Sequence, residues 1–208
     1  MLQTQNLNFA YTPAVQFNFP DIHLHAGERL LITGLSGAGK TTFLHLISGL
    51  LPYKSGKVFI DKQNISAFSR QALDKFRGQN IGFIFQKPYL IHSLSVLQNL
   101  YFQRHISGFV KDPLRATTLL EKLGIAYTAH KKPYQLSQGE QQRVTIALAL
   151  QNQPKLIIAD EPTASLDDIN CTAVMELLHT EALALNAALV VASHDARIKS
   201  LFTREVQL

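Results

Sequence analysis

Eight consecutive residues, Gly34-Leu35-Ser36-Gly37-Ala38-Gly39-Lys40-Thr41, fit the pattern G-x-x-x-x-G-K-[ST] in full. Glycines in such a loop let successive backbone N–H groups turn inward around phosphate oxygens. Gly34, Ser36, Gly37, Ala38 and Gly39 would form that cradle, and a helix beginning near Lys40 would add its positive end. Lys40 can reach the β- and γ-phosphates, the Thr41 hydroxyl suits Mg²⁺, and Thr42 is a further phosphate contact. In a chain this long a chance match has odds of about one in a hundred. The motif alone does not separate GTPases, nucleoside kinases and ATPases.

Two further groups gain meaning beside this loop. Leu156-Ile157-Ile158-Ala159 is an apolar run ending in Asp160 and Glu161. Ligand sites in parallel sheets lie beyond the carboxyl ends of strands, so Asp160 is expected near the phosphates as a Mg²⁺ ligand. Glu161 would then polarise the attacking water. Alone, such a pair is more often an acidic turn. The second group, Leu136-Ser137-Gln138-Gly139-Glu140, opens an apolar helical run. Ser137 and Glu140 make a capping box, which is the bland reading. Gly139 is the odd residue, because glycine in a helix costs up to ~1 kcal/mol against alanine. A bare glycine beside a serine hydroxyl at a helix N-terminus makes a γ-phosphate receptor. The chain already has a phosphate loop, so this receptor would serve a nucleotide held by a second copy.

The elements that must position these groups follow from periodicity. Residues 3–9 and 15–19 alternate, with Val15, Phe17 and Phe19 on one face, as in half-buried strands. Residues 29–33 form a short continuous apolar run, suited to a strand buried on both faces. Helical spacing runs from 40 to 51, and strands are expected at 56–61 and 80–85. From about 87 to 153 the pattern is helical, over 95–104, 113–123 and 137–152. Strands return at 155–159 and 188–192, around a helix over about 168–185. This is an α/β layered core with a helical block of residues 87–153 set into it, in a single domain spanning 1–208.

In order and spacing these motifs resemble the ATP-binding cassette (ABC) ATPase family. The resemblance covers essentially the whole chain. It implies a P-loop NTPase fold: a RecA-like core with an inserted helical subdomain and an N-terminal antiparallel β region. It also gives roles to matching positions. Gln86 looks like the glutamine that contacts Mg²⁺ and relays to a membrane partner. Ser165-Leu166-Asp167 matches the loop crossing a dimer interface, and His194 the histidine that contacts the γ-phosphate. Tyr11 stands near the aromatic that stacks on adenine, though it could equally be a core or turn tyrosine. Lys40, Glu161 and His194 would be catalytic; Thr41, Gln86 and Asp160 would hold the metal. The pattern is departed from at Gln138, where the family usually has glycine, and at Leu148, where many relatives carry arginine. Segments 81–86 and 94–100 look most like the ATPase subunits of lipoprotein-releasing, macrolide-efflux and cell-division complexes.

The resemblance implies an ATPase, using ATP and Mg²⁺, that powers a transporter-like membrane complex through a head-to-tail homodimer. A permease subunit would dock near Gln86–Arg104, where Tyr89, Leu90, Ile91, Leu94 and Leu97 offer apolar surface or else fill the helical core. A soluble ABC-type ATPase acting on nucleic acid or ribosomes is the alternative. It is permitted by the net charge of +5 and pI of 9.4, but disfavoured by the lack of a coiled-coil insertion or second cassette. A nucleotide kinase would leave the Ser137–Gly139 corner without a purpose. The single cysteine, Cys171, excludes an intramolecular disulfide framework and a cysteine-based zinc site. His23 and His25 share a strand face without an evident third ligand. No run reaches the roughly 18 apolar residues of a membrane span, and the first residues lack the features of a secretory signal. A cytoplasmic location, peripheral on the inner membrane face, is therefore expected.

Overall fold

The structure, a computed structural model, describes residues 1–208 apart from Ser165 and the side chain of Ile169. The chain begins with β1 (Leu2–Thr12), β2 (Val15–Asn18), β3 (His23–Leu24) and β4 (Arg29–Thr33), and continues into α1 (Lys40–Ile47). Next come β5 (Ser55–Ile60), β6 (Gln63–Asn64), α2 (Arg70–Asn80) and β7 (Ile81–Ile84). Helices α3 (Val96–Ile106), α4 (Pro113–Lys122) and α5 (Gln138–Leu150) precede β8 (Leu156–Asp160). The chain closes with α6 (Asp168–Ala184), β9 (Ala188–Ala192), α7 (Ala196–Lys199) and β10 (Glu205–Gln207).

These strands make two sheets. One runs β2-β1-β5-β6 with β3 beside β1, and its pairs are antiparallel. The other runs β10-β4-β9-β8-β7, with parallel pairs throughout. Every residue of β8 and β9 is buried, as expected where both sheet faces are covered. Alternation sorts their side chains. Leu156, Ile158, Ala188 and Val190 join a core with α1 and the antiparallel sheet, centred on Phe43, Leu44 and Ile47. Ile157, Ala159, Leu189 and Val191 face the opposite core, with α5, α6 and the helices between β7 and β8. Each fully buried Leu, Ile, Val or Phe among them contributes roughly 1.5–3 kcal/mol, and each alanine methyl less.

Several boundaries differ from the periodic reading. The helix expected over 40–51 ends at Ile47, because Gly49 takes φ +68° and the Leu50 N–H turns back to the His45 carbonyl at 2.8 Å. Apolar spacing runs on through Leu50 and Leu51, but the backbone does not. Helix α2 gave no periodic signal, since Phe76 is its only buried residue; its one cue was the cap Ser69, which accepts from the Ala72 N–H. Tyr11 lies within β1, not in a turn. The His23 and His25 rings lie side by side, tilted by 46° with centroids 4.5 Å apart.

Candidate active site

Register brings the chemistry together. Ala192 of β9 is level with Ile32 of β4 on one side and with Asp160 of β8 on the other. The carboxyl ends of three neighbouring buried strands therefore deliver Gly34, Ser193–His194 and Asp160–Glu161 to one edge. The resulting cleft, about 740 Å³, is lined by the 34–42 loop and helix start, with Gln86, Asp160, Glu161 and His194 around it. Tyr11, Val15 and Phe17 from the antiparallel sheet complete its wall.

The loop geometry is set by glycine at two points. Gly39 has φ +97°, and a Cβ there would meet Phe17 Cδ1 at 2.7 Å. Gly37 has φ +83°, a Cβ there would meet no atom of the described residues beyond its chain neighbours within 4 Å, and it lines the cleft. Lys40 Nζ donates to the carbonyls of Gly34 at 3.0 Å and Leu35 at 3.3 Å, which folds the ammonium back over the loop. Thr41 Oγ1 donates to Asp160 Oδ2 at 2.7 Å. Burial pushes the Asp160 carboxyl above its ordinary range, the Thr41 hydrogen bond opposes this, and Glu161 adds to the rise. The Tyr11 hydroxyl lies 3.1 Å from Thr42 Oγ1, and its ring meets Phe9 edge-on at 4.9 Å.

Glu161 is the most constrained acid in the cleft. Its backbone takes φ +48°, a left-handed conformation uncommon outside glycine and concentrated at functional sites. Its side chain is 8% exposed. Oε2 accepts from Ser193 Oγ at 2.9 Å and the His194 N–H at 3.4 Å. Oε1 lies 2.7 Å from His194 Nδ1, a pairing that places the proton on Nδ1. Ser193 was not among the expected residues. Its only sequence cue is its position just before His194.

The structure groups Tyr11, the loop residues, Gln86, Asp160, Glu161 and His194, but not the Ser137–Gly139 corner. That corner lines a separate cleft with Tyr127, Glu140, Arg143, Leu166, Asp167 and Asn170. Ser137 caps α5 by accepting from the Glu140 N–H at 3.3 Å, and its own Oγ–H and N–H donate to Glu140 Oε2. These bonds hold the Glu140 carboxyl below its usual range. Of the loop expected to cross an interface, Ser165 lies outside the described residues. Asp167 caps α6, accepting from the Asn170 N–H at 2.8 Å.

The apolar surface near Gln86 also departs from expectation. Leu90 is buried in the core and Leu97 packs against it, so neither is available for docking. Tyr89, expected at this surface, does line the groove beside them, together with Leu50, Phe83, Phe85, Ile106 and Leu148. Among the described residues, no cluster of three or more His, Cys, Asp and Glu could hold a metal. No helix there is long and apolar enough to cross a membrane.

A glycine loop between a buried parallel strand and a helix, with a threonine hydroxyl bonded to the acid ending a neighbouring strand, defines a P-loop nucleoside triphosphatase. Residues 17–164 match the family described as ABC transporter. The lipoprotein-releasing system ATP-binding protein LolD of Shewanella denitrificans is 39% identical over 190 residues, 90% of this chain and 82% of that protein. LolD of Pseudoalteromonas translucida is 36% identical over 204 residues, covering 95% and 88%. Among solved structures, the dimeric post-hydrolysis state of the ATP-binding cassette MJ0796 with ADP and Pi superposes with a TM-score of 0.91. It is 31% identical, with 100% of this chain and 94% of that one covered. The chain belongs to the ABC transporter ATP-binding family: it is an ATP-hydrolysing subunit that powers a membrane transporter.

Proposed function

We propose that two copies of this chain close head to tail on two ATP molecules. The observation that carries this reading is the separation within one chain of the phosphate cradle from the Ser137–Gly139 corner, which line different clefts. Each pocket would take Lys40, Thr41, Gln86, Asp160, Glu161 and His194 from one copy, and Ser137 and Gly139 from the other. A dimeric, ADP- and Pi-bound relative of the same fold supports that arrangement.

Within a pocket, loop N–H groups and Lys40 hold the phosphates, and Tyr11 borders the cleft where the base would lie. Thr41, Asp160 and Gln86 offer oxygen donors, which suit Mg²⁺; the ion would neutralise charge on the phosphate oxygens. Glu161, fixed by Ser193 and His194, is placed to orient a water and take its proton. His194, with both ring nitrogens protonated, would keep Nδ1–H on Glu161 and offer Nε2–H to a γ-phosphate oxygen. Charge stabilisation and positioning carry most of such a reaction. The helical stretch 87–153 acts as a subdomain. The apolar groove at Phe83, Phe85, Tyr89 and Leu148 receives a permease segment on the cytoplasmic membrane face, beside Gln86. The lipoprotein-releasing assignment of the relatives above favours a lipid-modified cargo handled by that partner.

Two measurements test the shared pocket. ATP turnover per chain should rise with chain concentration before reaching a plateau; a strictly monomeric chain with constant turnover would contradict it. Glu161→Gln should slow hydrolysis at least about a hundredfold and trap an ATP-stabilised dimer. Unchanged turnover would remove Glu161 from its role.

A further inference from the structure

We propose that Arg197 is a positioning residue for hydrolysis: it clamps the turn carrying His194 onto residues 166–168, beside the Ser137–Gly139 corner. The inference rests on the shared-pocket reading and adds a part to it.

The contacts are unusually complete for a residue on a four-residue helix. Arg197 Nε donates to Asp195 Oδ1 at 2.9 Å and Oδ2 at 3.1 Å, and Nη2 donates to Oδ2 at 2.7 Å. On its other side, Nη1 donates to Asp168 Oδ1 at 2.6 Å and to the Leu166 carbonyl at 3.3 Å. One planar fork thus spans a 29-residue separation in sequence between Asp168 and Arg197. A lysine, with one charged point in place of a fork, could not hold both sides.

Both ends of the clamp lead toward a pocket. Asp195, one residue after His194, also accepts from Thr163 Oγ1 at 3.0 Å and lies 3.8 Å from Cys171 Sγ. Its N–H donates to Ser193 Oγ at 3.1 Å, and that hydroxyl donates to Glu161 Oε2. At the far end, Leu166, Asp167 and Asn170 line the cleft with Ser137 and Gly139. Arg143 of α5 donates to Asn170 Oδ1. The Leu166 side chain stands 4.0 Å from where a Gly139 Cβ would be. A run of hydrogen bonds therefore leads from Glu161 through Ser193, Asp195 and Arg197 to Leu166 and Asp168, and the Leu166 side chain carries it by packing, not by hydrogen bonding, to the corner that this same chain lends to the other pocket.

Exposure decides what the clamp is for. The Arg197–Asp168 pair is exposed on both sides, at 38% and 86%, and adds little to folding; the Asp195 side, whose carboxylate is 13% exposed, adds modestly to it. What they fix is geometry. Two carboxylates, Asp195 and Asp168, are held on one guanidinium, and the backbone of 166 is tied to the turn after β9. In a closed dimer, release of the clamp would loosen both pockets at once.

The test uses the full chain with Arg197→Ala and Arg197→Lys. Read-outs are steady-state hydrolysis against ATP concentration, ATP affinity measured on dilute chain, and melting temperature. Arg197→Ala should lower kcat about tenfold, bring the Hill coefficient for ATP toward 1, leave ATP affinity on dilute chain within about twofold, and lower the melting temperature by no more than about 4 °C, leaving the chain folded at the assay temperature. Arg197→Lys should recover less than about half of the lost kcat. The clamp is overturned if Arg197→Ala keeps the wild-type kcat and Hill coefficient, if its loss tracks a lowered melting temperature alone, or if lysine restores everything. Failure of the underlying reading looks different: the wild-type chain itself would show a Hill coefficient of 1 and constant turnover per chain.

Discussion

Replacing Gly139 by alanine should move folding and assembly in opposite directions. Gly139 sits in the first turn of α5, and among the described residues of the chain a Cβ there meets only Leu166 Cδ2, at the ordinary distance of 4.0 Å. No described residue of the same copy demands glycine there. The added methyl should therefore stabilise the isolated chain by about 0.5 kcal/mol, raising the melting temperature by about 1–2 °C. In the ATP-bound dimer the same methyl would stand where a phosphate oxygen approaches the backbone. Loss of one charge-assisted hydrogen bond costs about 1.5–3 kcal/mol. The head-to-tail pair has two such pockets, so the dimerisation constant should fall at least about a hundredfold. The assay is sedimentation of Glu161→Gln with ATP, with and without Gly139→Ala, beside thermal melts of both chains without nucleotide. Equal dimer formation by the two, within about threefold, would refute the reasoning. So would a lowered melting temperature, because glycine would then be serving the fold.

Three further outcomes follow from single contacts. Ser193→Ala removes the 2.9 Å donor to Glu161 Oε2 and should reduce kcat about tenfold without changing ATP affinity, as read by single-turnover hydrolysis. Gly82→Ala places a Cβ 2.3 Å from the Ala149 carbonyl oxygen, wedging β7 off α5; urea titration should show a loss of about 2–3 kcal/mol. Asp195 has its carboxyl held far below the usual range, chiefly by Arg197. A depressed pKa gives stability that is present above the unfolded value of about 3.9 and lost as pH falls toward the folded one. The gap in urea midpoint between wild type and Asp195→Asn should therefore be full at pH 7 and 5 and shrink by pH 3; a gap independent of pH would exclude this origin.

The parallel strands were legible because burial on both faces writes itself as unbroken apolar runs. The runs expected at 29–33 and 188–192 coincide with β4 and β9. The phosphate loop was legible because its function constrains residue type and spacing together. What the sequence hides is register and reciprocity. Nothing in Ser193 announces a hydrogen bond to Glu161, since that contact depends on β8 and β9 ending level. Arg197 reads as one more surface cation until the fold brings Asp168 and the Leu166 carbonyl to it. Helix α2 escaped because a helix with a single buried residue has no stripe to detect. Leu148, which stands where many relatives carry arginine, lines the apolar groove with Phe83 and Phe85. Its effect belongs to what docks there.

The two halves of the proposed pocket are built on different physical principles, and that difference shapes the cycle. Asp160 and Glu161 hang from β8, whose every residue is buried, and the cradle from β4, which is buried through Leu30, Leu31 and Ile32 in the same hydrogen-bonded sheet. Their mutual distances change only if the core does. The Ser137–Gly139 corner is held by a capping box complete within its own chain, with Glu140 engaging both the hydroxyl and the N–H of Ser137. It needs no phosphate to fold. ATP binding energy is then not consumed in ordering either half and is available for drawing two rigid bodies together. Engagement has one local requirement: the Ser137 hydroxyl, which donates to Glu140 Oε2 at 2.7 Å, must turn that proton to the incoming γ-phosphate. Glu140 keeps its hydrogen bond from the Ser137 N–H at 2.6 Å while this happens. The helix start therefore stays intact as its serine changes partners. Closure and reopening can then repeat on one preformed corner, with hydrolysis removing the phosphate that held it.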